Sequence, residues 1–185
     1  KDLRDSTMEA MGGDERGNIV ADTLGKFQDK GSIGNIRSKA SKVAHGEDVD
    51  PTSKARAESL LGAIGNAPTS MAPAELHRGM SIKGSQATVL GKFQAGDSID
   101  MNVSSFTSDR SVAAKFATRT HTKGSTRVVM KLEGDKRALP IQNLTRDHRL
   151  FPEKEWVTAG RFEIVNSKRG TAGDVLVTIR QTEVI

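Results

Sequence analysis

Two glutamates stand two residues apart late in the chain, in the segment Phe151-Pro152-Glu153-Lys154-Glu155-Trp156-Val157. Because side chains alternate along a strand, Glu153 and Glu155 are expected to point to the same face and to form a shared anionic site. Two carboxylates held this close oppose each other's ionisation, which suits acid–base chemistry or the stabilisation of a cation that develops during a reaction. The structural alternative is a solvent-exposed strand edge.

A cluster of hydroxyl side chains precedes a predicted helix, in the segment Ser104-Ser105-Phe106-Thr107-Ser108. Hydroxyl groups at the end of a strand can orient a neighbouring carboxylate. They can also cap the helix that follows, and Ser108 or Asp109 is an ordinary N-cap for a helix over 110–118. Both interpretations stay open from the residues alone.

Arg78 lies inside a short, largely apolar strand, where a permanent charge is costly unless it meets a carboxylate or a phosphate. A structural ion pair is the usual explanation. Gly79 follows it, and a glycine in a strand allows a ligand to approach the backbone or marks a bulge.

The composition excludes several chemistries. The chain has 185 residues, 35% of them hydrophobic and 28% charged, which predicts one main folded domain without a membrane span. It has no cysteine, so disulfide scaffolds, thiol nucleophiles and iron–sulfur clusters are excluded. We expect no metal site, because the histidines lack the spacing of metal ligands: His45, His77, His121 and His148. Glycine-rich phosphate-binding motifs are also missing.

The charge is unevenly distributed along the chain. The net charge is +5, and residues 1–70 hold 10 Lys and Arg against 11 Asp and Glu, whereas residues 71–185 hold 18 against 12. A positive C-terminal part permits binding to nucleic acid, but the single Trp and the absence of Tyr argue against a single-strand binder. Nucleic acid is therefore the less favoured partner.

The hydrophobic period changes near residue 70. The sequence predicts an N-terminal helical region over 1–70, because apolar residues there have helix-like spacing, as in Ile19, Val20, Leu24 and Phe27. Asp50-Pro51 is a typical helix start and predicts one helix at about 51–64. Residues 71–185 alternate as strands do, and the pattern predicts an α+β core. The predicted strands are 75–80, 98–103, 127–132, 155–157, 161–165 and 174–179, with helices near 85–93 and 110–118. Val112, Ala113, Phe116 and Ala117 form an apolar stripe on the second helix. The chain starts at Lys1 without an initiator Met, and we expect a mature fragment or an excised domain.

Taken in order, the three features resemble the Arg, Ser-Thr-Ser, Glu-x-Glu signature of the mono-ADP-ribosyltransferase family, which is found in bacterial toxins and phage enzymes. Leu76-His77-Arg78-Gly79 resembles the first strand of that family, and Glu153-Lys154-Glu155-Trp156-Val157 resembles its catalytic strand. The resemblance covers about 74–183. The hydroxyl segment departs from the usual pattern, so that Ser108 is the best match to the motif serine and Ser105 is the alternative.

The resemblance implies an ADP-ribosyltransferase-like fold, with two small, mainly antiparallel sheets around an NAD cleft. NAD is then the co-substrate, and no metal is needed. Glu155 would stabilise the cation that forms when the nicotinamide–ribose bond breaks, Ser108 would hold Glu155, and Arg78 would bind the pyrophosphate. The remaining residues expected to contact NAD are Gly79, Ser105, Phe106, Thr107 and Phe116. Phe116 would be an apolar wall for the nicotinamide, although its stripe is more typical of a core.

Glu153 implies the acceptor. A guanidinium is a poor nucleophile until an anion orients it and removes a proton, and in this family Glu at that position accompanies arginine acceptors. The expected activity is transfer of ADP-ribose to arginine of a target protein by a secreted or virion-delivered effector acting in the cytoplasm of a target cell. The alternatives are a nucleic-acid-modifying transferase, an NAD glycohydrolase, and an inactive virion, structural or binding protein that has kept the fold.

Overall fold

The computed structural model of the chain describes residues 40, 42–43, 46–140 and 155–184. In chain order, its main elements are α1 (Pro51–Asn66), β1 (Leu76–Lys83), α2 (Gln86–Gly91), β2 (Ser98–Thr107), α3 (Arg110–Arg119), β3 (Ser125–Glu133), β4 (Leu139–Pro140), β5 (Glu155–Arg169) and β6 (Val175–Glu183). Within the described residues, no helix combines the length and the apolar character needed to cross a bilayer.

Helix α1 begins where the sequence predicts it. The Asp50 carboxylate accepts a hydrogen bond from the Ser53 amide at 3.0 Å, and Pro51 occupies the first helical position. One face of α1 is buried against strand side chains, among them Val103 and Val157. The helix expected at 51–64 is thus confirmed, whereas the helical spacing from Ile19 to Phe27 lies outside the described residues. The domain boundary near residue 70 stays a prediction.

Five of the strands form a closed sheet. β1 pairs with β3, β3 pairs in parallel with β6, β6 pairs with β5, and β5 pairs with β2. Within the described residues, the ring closes through a single β1–β2 pairing between His77 and Thr107. β4 pairs with β5 outside this ring. The mixed α and β composition expected from the sequence is confirmed.

Two separate sheets were expected, and the structure shows one sheet because β5 is shared. The segments 155–157 and 161–165, predicted as two strands, belong to one strand of 15 residues. Its first part pairs with β2, and its second part pairs with β6. Gly160 permits this continuity, since it has a φ of 136° and a Cβ there would lie 2.0 Å from the carbonyl oxygen of Glu183.

The interior of the closed sheet is apolar. Its buried side chains come from all five strands of the ring and from the region of α2, and they include Leu76, Val89, Phe106, Met130, Trp156, Phe162 and Val177. Helix α3 packs on the other face of β1, where Ala113, Ala117 and Val129 form a small buried cluster. Asp109 caps α3 by accepting from the Ser111 amide at 2.9 Å, and Ser85 caps α2 by accepting from the Thr88 amide at 3.2 Å.

A buried lysine fixes the chain between α1 and β1. Lys136 is only 2% exposed, and its Nζ donates hydrogen bonds of 2.8 Å to the carbonyl oxygens of Pro73 and Ala74. Burial lowers the pKa of its ammonium group, and nearby carboxylates, chiefly that of Asp135, oppose this shift. The neighbouring Arg137 donates to the carbonyl of Ala67 at 2.8 Å. These two side chains hold the segment that leads into the strand carrying Arg78.

Candidate active site

The central contact of the candidate site joins strands β2 and β5. Ser105 lies opposite Val157, and Thr107 lies opposite Glu155, so Ser105 and Glu155 are diagonal neighbours on one face of the sheet. The Ser105 hydroxyl donates a hydrogen bond to Oε1 of Glu155. Farther along the same face of β5, Val157 and Ala159 are buried in the cluster that includes α1, whereas Glu155 stays partly exposed. The carboxylate therefore lies where the cover provided by α1 ends.

Arg78 contacts the same serine from strand β1. Its Nη1 donates to the carbonyl oxygen of Ser105 at 2.9 Å, in a partly buried position. Three strands that are far apart in sequence thus meet at Ser105, whose backbone contacts Arg78 and whose hydroxyl contacts Glu155. A permanently charged donor fork and an oriented carboxylate occupy one small region.

The structure distinguishes the two candidate serines by position. Ser105 lies within β2 and reaches Glu155, whereas Ser108 follows the last residue of that strand. The N-cap of α3 is Asp109, one of the two residues expected there, and its amide donates to the Thr107 hydroxyl at 3.0 Å. The register of β2 shifts between Met101 and Ser104, a bulge that no local sequence signal announces.

Phe106 does not share the face of Ser105 and Glu155. Its side chain is 2% exposed and packs in the interior of the closed sheet, and its register partner there is Trp156. Phe106 was expected among the residues that contact NAD. Its burial instead gives it a packing role, because strand alternation points it away from its neighbours Ser105 and Thr107.

Gly79 allows the close approach of α3 to β1. A Cβ at this position would lie 1.8 Å from the carbonyl oxygen of Ala113, so any side chain would force the helix away from the strand. This contact explains on structural grounds why a glycine occupies the position. It stands in addition to the close backbone approach of a ligand that the sequence suggests. The position of every side chain on α3 relative to β1 depends on it.

Phe116 on α3 is exposed, although its stripe indicated a core position. Ala113 and Ala117 provide the buried contacts of this helix, and Phe116 remains 47% exposed, the one large hydrophobic residue of this kind among the described residues. An exposed aromatic ring on the helix that follows the hydroxyl segment has the chemistry to stack on a flat ligand.

His77 is a buried residue that the sequence did not single out. It is 6% exposed and lies opposite Thr107, and its Nε2 is 3.8 Å from a carboxylate oxygen of Glu75. Burial lowers the pKa of the imidazole, and Glu75 opposes this shift. The one available signal was its place beside Arg78 in a strand. Of the other predicted site residues, Glu153 lies outside the described residues.

Comparisons with known proteins give one consistent result. No protein-family model matches the chain, and no curated protein matches it in sequence. Solved structures do match. The Vis toxin, an ADP-ribosyltransferase from Vibrio splendidus, is 17% identical with a TM-score of 0.61, over 98% of this chain and 82% of that one. The C3 exoenzyme of Clostridium limosum is 11% identical with a TM-score of 0.65, over 97% and 91%.

A third match is exoenzyme S from Pseudomonas aeruginosa, which is 12% identical with a TM-score of 0.59, over 97% of this chain and 87% of that one. All three identities are low, and the likeness lies in the arrangement of the elements. It agrees with the signature formed by Arg78, the hydroxyl segment and Glu155. The chain therefore has the fold of the mono-ADP-ribosyltransferase toxins, the family that its motifs resemble.

Proposed function

We propose that the protein is an NAD-dependent mono-ADP-ribosyltransferase that transfers ADP-ribose to arginine of a target protein and releases nicotinamide. The observation that carries this proposal is the hydrogen bond from Ser105 to Glu155, with Arg78 on the carbonyl of the same serine. It occurs in a fold shared with ADP-ribosyltransferases.

Glu155 is the group that would stabilise the transition state. Cleavage of the nicotinamide–ribose bond leaves positive charge on the sugar, as in glycoside hydrolysis, and a fixed carboxylate beside the ribose lowers the energy of that state. Ser105 holds the carboxylate in one orientation through its hydroxyl. The carboxylate then does not need to reorganise when the charge develops.

Arg78 and Phe116 are the groups that would bind NAD. The pyrophosphate is anionic, and the guanidinium of Arg78 presents donors in a planar fork. The exposed ring of Phe116 would cover the nicotinamide. The backbone of Gly79 would lie beside the ligand, whereas Thr107 is 6% exposed and its hydroxyl already accepts from the Asp109 amide, so that Thr107 would shape the site and not bind NAD directly. NAD as the ligand is supported by exoenzyme S, which shares the fold and has been solved with Carba-NAD bound.

Glu153 carries the choice of arginine as acceptor. A carboxylate beside Glu155 would orient an incoming guanidinium and take its proton, which a neutral residue could not do. The Vis enzyme has been solved with agmatine, a compound that carries a guanidinium group. We further propose that the target protein belongs to another cell, which the protein reaches as a secreted or virion-delivered effector, since the matched proteins are described as toxins and exoenzymes.

The test separates the two halves of the reaction. The protein is incubated with labelled NAD and a cell lysate, and free nicotinamide and labelled protein are measured in parallel for the unmodified protein, Glu155→Gln and Glu153→Gln. We expect Glu155→Gln to lose both signals, by at least about 100-fold. Glu153→Gln should keep nicotinamide release and lose the protein label.

The outcomes also discriminate the alternatives. Nicotinamide without labelled protein from the unmodified chain would make it an NAD glycohydrolase. Label on nucleic acid instead of protein would identify nucleic acid as the acceptor of ADP-ribose. Neither nicotinamide nor label would overturn the enzyme and leave a binding or structural protein with this fold.

A further inference from the structure

Five cations gather at one end of the closed sheet, which we name the basic end. There, Lys83 at the end of β1 lies opposite Ser125 at the start of β3, and Val175 at the start of β6 lies between Val128 of β3 and Arg169 of β5. Four neighbouring strands thus present their ends side by side. The basic end consists of Lys83, Lys123, Arg127, Lys168 and Arg169.

The charge of the basic end is not neutralised by carboxylates of the described residues. The segments that form it, 81–86, 121–128 and 166–176, contain these five cations and one carboxylate, Asp174, for a balance of five minus one, or +4. Two arginines elsewhere on the sheet do have acidic partners: Arg161 lies 3.0 Å from Asp100, and Arg180 lies 3.4 Å from Glu133. Among the described ion pairs, none involves a cation of the basic end.

Neutral acceptors hold the two arginines in place. Arg127 donates to the carbonyl of Ala172 at 2.8 Å, and Arg169 donates to Oε1 of Gln86 at 3.0 Å. Gln86 in turn donates to the carbonyl of Asp174 at 2.9 Å. Both guanidinium groups are therefore ordered without losing charge, which reduces the entropy cost of binding an anion.

From this surface we infer that the basic end binds the phosphate backbone of duplex nucleic acid without sequence preference. Four adjacent strand ends, separated by three interstrand steps of about 4.8 Å measured along the curve of the sheet, spread the cations over more than one phosphate of a duplex, because each strand carries one phosphate per about 3.4 Å of helix axis. The same three segments also carry exposed hydroxyl residues, including Ser85, Thr122 and Thr171, and such groups contact phosphates in protein–DNA interfaces.

The same surface is poorly suited to other polyanions. Single-stranded nucleic acid is bound by stacking on aromatic rings, and membranes are bound with the help of inserted apolar side chains. The one exposed large hydrophobic residue of the described chain is Phe116, which belongs to α3 and not to the basic end.

The basic end is separate from the candidate active site. Lys83 is five residues from Arg78 along β1, a distance of about 17 Å in a strand. Nucleic acid bound there leaves Glu155 accessible. If the proposed function holds, proteins on the same nucleic acid are the targets within reach, but the binding itself does not depend on the proposed function.

The test measures binding of a fluorescent 20-base-pair DNA duplex by anisotropy at several salt concentrations. Five phosphate contacts predict a slope of about −4.5 for log K against log salt concentration. The triple variant Lys83→Gln, Lys123→Gln, Lys168→Gln should reduce the slope by about 2.7 and the affinity at 0.1 M salt by about 500-fold. It leaves the two hydrogen-bonded arginines in place.

A matched control carries the same loss of charge elsewhere: Lys42→Gln, Lys54→Gln, Lys115→Gln, three exposed lysines. It should bind DNA as the unmodified protein does, and both triple variants should release nicotinamide from NAD at the unmodified rate. Equal losses of DNA binding in the two triple variants would show that only the net charge of the protein matters, which would overturn the proposal. No duplex binding, or a preference for phosphatidylserine vesicles that the first triple abolishes, would overturn it as well.

Discussion

Replacing Ser105 by alanine tests the central contact of the site. The substitution removes the hydroxyl that donates to Glu155 and leaves the Arg78 contact, which uses the backbone carbonyl. A hydrogen bond to a charged group is worth about 1.5–3 kcal/mol. If that energy orients the carboxylate for the transition state, kcat falls by about 10- to 150-fold, since 1.36 kcal/mol corresponds to a factor of about ten.

The assay is release of nicotinamide from NAD, with kcat and KM determined separately. The matched control is Ser108→Ala, which removes the same group three residues away and beyond the end of β2. We expect Ser108→Ala to stay within about twofold of the unmodified protein. Full activity of Ser105→Ala, or an equal loss in Ser108→Ala, would refute the assignment of Ser105 to the carboxylate.

Three further expectations concern the elements around the site. Gly79→Ala places a Cβ 1.8 Å from the carbonyl of Ala113, and relief to at least 3.0 Å requires α3 to move, so urea unfolding should show a loss of about 1–3 kcal/mol; an unchanged midpoint would contradict this packing. Lys136→Met leaves the carbonyls of Pro73 and Ala74 without their donor and should lower the free energy of unfolding by about 1–3 kcal/mol in the same experiment, whereas an increase in stability would show that burial of the charge outweighs its hydrogen bonds. Burial lowers the pKa of His77 from its ordinary 6.5, so just below pH 6.5 the imidazole is protonated in the unfolded chain and still neutral in the folded chain. The free energy of unfolding should therefore fall as the pH decreases below 6.5. Comparing unfolding midpoints at several pH values with those of His77→Gln isolates this contribution, and identical pH profiles would contradict it.

Local signals in the sequence were sufficient for several elements. The Asp50-Pro51 start predicted α1, and Asp109 was one of two expected caps for α3. The order of Arg78, the hydroxyl segment and Glu155 along the chain indicates that they form one group, because together they resemble a family signature. Such features depend on residues close in sequence or on a motif, so they are visible without the fold.

Features that depend on long-range packing were not visible. In the sequence, Gly160 looks like an interruption between two strands, and only its close approach to Glu183 at the end of β6 shows that β5 continues through it. Choosing between Ser105 and Ser108 required knowing where β2 ends and where its register shifts at the bulge. The exposure of Phe116 could not be predicted without knowing how closely α3 packs on β1, and Gly79 determines this distance.

The way the sheet closes determines when, during folding, the protein becomes active. Ser105 and Glu155 are 50 positions apart, and Arg78 and Ser105 are 27 apart, so neither contact can form from a local segment. β5 must pair with β2 before the Glu155 carboxylate contacts Ser105. Such distant pairings are slow steps in folding. A chain that has been unfolded, for example during passage through a narrow pore, is therefore catalytically silent until the ring has closed again.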